Sequence, residues 1–401
     1  MYNVLKLNKI AAIGTDRLGA DYSCADSVEN PDAILVRSAS MLDMEFGSNL
    51  LAIARAGAGT NNIPKDKCAE QGIVVFNTPG ANANAVKELV LAGLLLSSRK
   101  VVEGIEWAKT LKGNGDAVGK MVEKGKSQFV GPEIMGKTLG VIGLGAIGIL
   151  VANAADALGM KVVGFDPFIS VPNALRLNPD VTLLKSAEEV MTSCDYLTIH
   201  VPLTPETKDM VDAETIAKMK DGVRILNYSR DGLVNADAVL EALKSGKVAK
   251  YVTDFGNDKL LCEENVIVLP HLGASTPESE DNCAVMACDQ VKEYLENGNI
   301  INSVNYPAVS LPRSGDKRIC VMHKNVPERI SDALSGVTVV GMLTKKRGDY
   351  AYTIVDVKGG ADADKIAAVD GVIKVRVLQY FKTSADQKAD TNKDDLKSQE
   401  K

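Results

Sequence analysis

From residue 32 to residue 78 the chain repeats one pattern, a short run rich in Val, Ile, Leu and Ala followed by a polar segment of helical or turn composition. The runs DAILVRS, LLAIARAG and GIVVFNT predict strands of a parallel sheet joined by crossovers. A helical period begins near Ala85 in AVKELVLAGLLLSSRK, and the Lys- and Gly-rich stretch over residues 112–131 reads as a connection. Six more apolar runs follow: TLGVIGLG, KVVGFD, YLTIHVPL, VRILNYS, KYVTDF and NVIVLPH. Their spacing by helical or turn segments predicts an open, doubly wound parallel sheet, so the fold class is α/β.

Beyond this sheet, PESEDNCAVMACDQVKEYLENG predicts a long amphipathic helix that stops at Gly298. Residues 316–378 then offer the strands RICVMH, TVVGML, AYTIVDV and VIKVRVL around helical stretches, a small appended α+β module. The expected division is residues 1–98 with 286–310 as a first lobe, 99–285 as a second, and 316–380 as the module. Residues 383–401 hold one Leu among Lys, Asp, Ser and Gln, a composition that predicts a flexible tail.

At 401 residues the chain is long enough for two or three cores. The net charge of -6 argues against nucleic acid or an anionic membrane as a general partner, because either needs concentrated Lys and Arg. Seven scattered cysteines without a C-x-x-C pair point away from a disulfide framework and towards a reducing cytoplasm. The most apolar stretch, Leu89 to Leu96, falls far short of the ~20 residues that cross a bilayer. No compact His/Cys/Asp cluster suggests a metal.

The first run of the second sheet leads into Gly143-Leu144-Gly145-Ala146-Ile147-Gly148 and then a helix, which is G-x-G-x-x-G in strand-turn-helix context. Gly143 suits a tight turn, Gly145 lets a pyrophosphate approach the backbone, and Gly148 lets the helix pack close to its strand. Asp166 ends the next strand, eighteen residues beyond Gly148, where a carboxylate can accept hydrogen bonds from the adenosine ribose. The same charge repels a 2'-phosphate, and Pro167 and Phe168 offer no arginine to receive one, so NAD is the expected cofactor.

NYSRDGLVN (227–235) and LPHLGAST (269–276) sit at the carboxyl ends of predicted strands, the edge that faces ligands in such sheets. With the glycine loop and the run PHLGASTPESEDNCAVMA, the chain from Asp32 to about Tyr306 resembles the D-isomer-specific 2-hydroxyacid dehydrogenases. The resemblance implies a flavodoxin-like substrate lobe and a catalytic arginine, acid and histidine, which by motif fall on Arg230, Asp258 and His271. Most members carry Glu near the position of Asp258, and here Lys259 stands beside it. Arg230 would grip a substrate carboxylate with its planar fork. His271 would take the hydroxyl proton, and the acid would hold its tautomer. Further candidate cofactor contacts at these strand ends are His200, Val201, Pro202, Tyr228, Ser229, Asp254, Gly273 and Ala274.

In the first lobe the resemblance implies substrate contacts at Arg37, Ser38, Arg55, Gly57 and Asn82. Two arginines suit a substrate with two anionic ends, and the resemblance implies, as the expected reaction, oxidation of D-3-phosphoglycerate to 3-phosphohydroxypyruvate, opening serine biosynthesis. The alternatives are a glyoxylate, hydroxypyruvate or other D-2-hydroxyacid reductase, and a non-catalytic NAD-sensing partner protein. The module resembles an ACT domain, which implies a homodimer or homotetramer and an amino-acid effector at His323 and Asn325. Glu328 replaces the usual Gly there, so a structural or pairing role is expected instead.

Overall fold

The computed structural model describes residues 1–360 and 362–379, so the tail expected over 383–401 lies outside the described residues. The described chain divides into two compact units, residues 1–78 with the described residues from 281 onward, and Pro79–Glu280.

The first unit carries five strands, β1 (Tyr2–Lys6), β2 (Tyr22–Ala25), β3 (Ala33–Val36), β4 (Ala52–Arg55) and β5 (Val74–Phe76), in the order β2-β1-β3-β4-β5. All neighbours run parallel. Every residue of β3 and β5 is buried, as parallel strands covered on both faces require. β1 and β2 were not foreseen. They are short, and β1 mixes Asn3 and Lys6 into its apolar residues.

The second unit holds β6 (Thr138–Ile142), β7 (Lys161–Phe165), β8 (Thr182–Leu183), β9 (Tyr196–Ile199), β10 (Val223–Asn227), β11 (Val248–Thr253) and β12 (Val266–Val268). Their order is β12-β11-β10-β9-β6-β7-β8, doubly wound about β6. The six expected strands are present, and the exposed two-residue β8 is added. The helix Ala83–Ser98 belongs to this unit, not to the first lobe as the expected boundary at residue 98 had it. Its Val86, Val90 and Leu94 share one buried cluster with Leu139, Val141, Ile149 and Leu226. Its period predicts the helix, and these buried contacts show which sheet it covers.

The C-terminal module is an antiparallel sheet of β13 (Lys317–His323), β14 (Thr338–Arg347), β15 (Tyr350–Lys358) and β16 (Val372–Gln379), ordered β14-β15-β13-β16. Helices Pro327–Ala333 and Ala363–Ala367 complete a βαββαβ arrangement. It belongs to the first unit instead of standing apart. Arg318 and Asp356, paired across β13 and β15, form a fully buried two-pronged ion pair at 2.7 and 2.8 Å. The same guanidinium donates to the carbonyls of Asn297 and Leu311, both at 2.8 Å, and so ties the module to the end of helix Pro277–Asn297. No described helix is long and apolar enough to cross a membrane.

Candidate active site

The glycine loop opens at the end of β6. Gly143 adopts φ +90°, and a Cβ there would come within 2.5 Å of the His200 carbonyl oxygen, so only glycine fits between these strand ends. A Cβ on Gly148 would lie 1.9 Å from the Gly143 carbonyl oxygen, which fixes how closely helix Ala146–Ala157 abuts the loop. Gly145 differs from both, because a Cβ there meets nothing within 4 Å. It precedes the helix with no side chain capping the first turn, which leaves the amides that begin at Ala146 and Ile147 for a ligand. Asp166 is fixed by two amides, Leu144 N donating to Oδ2 and Phe168 N to Oδ1, each at 2.8 Å. An open cradle over a helix start, with an anchored acid after the second strand, suits the phosphates and ribose of a dinucleotide.

β9, beyond the point where the strand order reverses, delivers His200, whose Nε2 lies 3.0 Å from Thr198 Oγ1 while Nδ1 is buried without a partner. Loss of water around the ring pushes its pKa down to about 4, so it is neutral at pH 7. The carbonyl of Val201 accepts from Ser229 Oγ at 2.6 Å, and that of Pro202 from Thr207 Oγ1 at 2.7 Å. Tyr228 is buried beneath helix Ala83–Ser98, where Gly93 makes room for it. A Cβ at residue 93 would fall 2.0 Å from the phenol oxygen.

Arg230, Asp254 and His271 issue from the ends of three adjacent strands, β10, β11 and β12. The pairing of Asn227 with Thr253, and of Thr253 with Val268, sets their level. Leu269 N donates to Thr253 O at 2.8 Å, which carries the chain directly past Asp254 to His271. The His271 ring stands edge-on to Phe255, with centroids 5.0 Å apart. Asp254 is 4% exposed, its Oδ1 is buried without a hydrogen-bond partner, and His271 and Arg230 are near enough to act on it electrostatically. Burial pushes this carboxyl above the usual range, and the neighbouring His271 and Arg230 oppose the shift. Gly273 is buried close by, where a Cβ would sit 3.7 Å from Asp254 Oδ2, and Ala274 follows half-buried.

Asp258, the acid expected beside His271, lies exposed in the turn over residues 258–260. Asn257 Oδ1 accepts from Lys259 N at 3.1 Å and Leu260 N at 3.2 Å, and Leu260 is buried, so the turn is held from within. Lys259 pairs with Asp237 at 2.7 Å on its far side. The buried carboxylate at these strand ends is Asp254, a candidate cofactor contact by its sequence position.

In the first unit, Asn8 Oδ1 accepts from the amides of Arg37, Ser38 and Ala39 at 2.9, 2.9 and 3.0 Å and shapes the turn that bears Arg37. Arg55 Nε donates to Arg37 O at 2.9 Å. Its guanidinium lies against Gly57, which adopts φ +155° and where a Cβ would be 2.9 Å from Arg55 Nη1. Arg37, Ser38, Arg55 and Gly57 thus share one edge of the first sheet. Asn82 belongs to the other unit, immediately before helix Ala83–Ser98.

The possible effector residues fare differently. His323 is fully buried, with Nδ1 accepting from Val326 N at 2.8 Å and Nε2 2.9 Å from Thr353 Oγ1. Both ring nitrogens are used within the module, so the imidazole holds the turn through Asn325, which adopts φ +50°.

Residues 91–273 match the model of the D-isomer specific 2-hydroxyacid dehydrogenase NAD binding domain. The D-3-phosphoglycerate dehydrogenase of Mycobacterium leprae is 32% identical over 370 residues, covering 86% of this chain and 67% of that protein. The chain belongs to the D-isomer specific 2-hydroxyacid dehydrogenases. The D-3-phosphoglycerate dehydrogenase of Synechocystis is 34% identical over 76% of this chain and 54% of its own length, and that of Bacillus subtilis 34% over 71% and 53%. The chain thus spans about half the length of these two relatives. Among solved structures, the NAD+-bound 3-phosphoglycerate dehydrogenase of Entamoeba histolytica superposes with a TM-score of 0.58 at 25% identity, covering 76% of this chain and 98% of that one. A glyoxylate reductase from Paecilomyes thermophila, 24% identical with a TM-score of 0.63 over 76% and 98%, shares the fold of this dehydrogenase family member.

Proposed function

We propose that the chain is an NAD-dependent dehydrogenase that oxidises D-3-phosphoglycerate to 3-phosphohydroxypyruvate. The observation that carries this reading is the delivery of an arginine, a buried carboxylate and a histidine by three neighbouring strand ends, in a unit whose sheet also bears the glycine loop. Gly143, Gly145, Gly148 and Asp166 would hold the dinucleotide, with His200 and Ser229 on the far side of the strand-order reversal. NAD, when bound, supplies the hydride acceptor.

Arg230 would bind the substrate carboxylate through two parallel hydrogen bonds and polarise the reacting carbon's oxygen. His271 would accept the hydroxyl proton as the C2 hydrogen departs with its electron pair, leaving a C=O bond, and return that proton in the reverse direction. Arg37 and Arg55 are the candidates for the phosphate end. The appearance of NADH absorbance when purified protein meets 3-phosphoglycerate and NAD tests the reading. Turnover of glyoxylate or hydroxypyruvate with none of 3-phosphoglycerate would replace it with a reductase of the same family.

The partner expected in solution is a second copy. Helices Val101–Thr110 and Val118–Gly125 bury none of their own residues and expose Val101, Val102 and Ile105. Light scattering at assay concentration should give a homo-oligomer. Seven free thiols accord with work in a reducing cytoplasm.

A further inference from the structure

We propose that the C-terminal module is a fixed brace of the first unit, docked through one face of its own sheet onto the end of helix Pro277–Asn297, and not a domain that swings on its linker. An antiparallel sheet tolerates water on one face where that face is polar. Here β13 is buried from Arg318 to His323 and β15 from Ala351 to Val357, so both faces are covered. On one face Ile319, Val321, Val355 and Val357 meet the module's own helices through Ile330, Leu334 and Ile366. The opposite face pairs Cys320 with Ile354 and Met322 with Tyr352, and these four stand outside that cluster.

The rest of the first unit supplies their cover. A Cβ at Gly298 would strike Cys320 Sγ, Tyr352 Oη donates to Gly298 O at 2.6 Å, and the Tyr294 and Tyr352 rings lie 6.5 Å apart. A helix leaves its last carbonyls without partners of its own, and its dipole favours positive charge there. Arginines of the linker and the module meet both needs. Arg376 Nη2 donates to Leu295 O at 3.0 Å, Arg313 Nη1 to Glu296 O at 3.1 Å and Arg318 Nη1 to Asn297 O at 2.8 Å. The Arg376 guanidinium also lies 4.7 Å from the centre of the Tyr294 ring. Two further bonds lie away from the helix, Lys374 Nζ to Leu50 O at 3.0 Å and Arg347 Nη1 to Ser303 O at 2.5 Å. A swing of the module would break all of these together and wet Cys320, Met322, Tyr352 and Ile354.

The test uses the full chain in two ways. In the first, a recognition sequence for a site-specific protease is inserted after the exposed Pro312 and cut. The severed module should stay with the remainder on size-exclusion chromatography, and its elution alone overturns the proposal. In the second, hydrogen exchange of the uncut chain is followed by mass spectrometry in the parent, in Arg376→Gln and in Lys358→Gln. Arg376→Gln removes a charge-assisted bond to the helix end and should speed exchange in β13, in β15 and at residues 294–298 together, by at least about tenfold. Lys358→Gln, at the exposed end of β15, should change none of them. Faster exchange confined to the module, or none in either place, overturns the proposal. Retention of the severed module without that joint response would place its hold elsewhere, on a second copy, and overturns it as well. No readout needs turnover, so a protein inert towards 3-phosphoglycerate would refute the proposed reaction without deciding this one.

Discussion

Gly145 and Gly148 lie three residues apart in one loop, yet alanine at each should change stability in opposite directions. At Gly145 the backbone has φ -77° and ψ -160°, which any residue adopts, and the new methyl meets no protein atom within 4 Å. Alanine therefore narrows the unfolded ensemble without strain, worth ~0.4–1 kcal/mol of added stability. For a unit of this size that amounts to a rise in Tm of about 1–4 °C. At Gly148 the methyl would sit 1.9 Å from the Gly143 carbonyl oxygen, so helix and loop must separate by more than an ångström. Overpacking of this kind costs ~1–3 kcal/mol and should lower Tm by several degrees.

Dinucleotide binding should fail in both variants, for different reasons. In Gly145→Ala the methyl occupies the approach to the helix start, and in Gly148→Ala the amides no longer point where the loop needs them. Each should weaken NADH by at least about tenfold, or ~1.4 kcal/mol. Calorimetry of the cofactor-free protein gives the Tm values, and quenching of protein fluorescence gives the affinities. An unchanged NADH affinity in Gly145→Ala would refute the cradle. An unchanged Tm in Gly148→Ala would refute the close helix approach.

Replacing Arg37 by Ala should raise KM for 3-phosphoglycerate at least about tenfold more than KM for an unphosphorylated D-2-hydroxy acid, since one charge-assisted fork is lost only for the former; equal effects would remove Arg37 from the phosphate site. His271→Ala should lower kcat by roughly 10²–10⁴, measured as NADH formation at saturating substrate, and full turnover would dismiss the residue. His323, with a pKa of about 4 in the fold against 6.5 when exposed, binds its proton only on unfolding between those values. The unfolded state then holds more protons, so stability falls as pH drops through that window. Urea midpoints of His323→Gln should fall less steeply between pH 6.5 and 4 than those of the parent, and parallel curves would contradict the buried neutral ring.

What could be read along the chain was whatever is written in consecutive residues. The glycine loop, Asp166 after the next strand and the long helix ending at Gly298 are such features, because the turn, the strand end and the cap are each local. The Tyr2–Lys6 and Tyr22–Ala25 strands escaped notice because, at five and four residues, they are too short to set up a pattern of their own. Helix Ala83–Ser98 shows where locality ends. Its period reveals an apolar face, and nothing in that period says which of two sheets the face will meet.

The acid of the site is the sharper case. Counting along TDFGNDKLL favours Asp258, since it falls nearest the position where relatives carry their glutamate. Distance along a chain says nothing of burial once a strand has ended, because the turn that follows is free to aim its side chains outward, and Asn257 here holds that turn with Asp258 exposed. The position of Asp254 is set instead by hydrogen bonding between β11 and β12, a long-range pairing that places the residue after Thr253 alongside the segment leading to His271. A motif names a kind of residue, and the strand register decides which residue of that kind is buried at the strand ends.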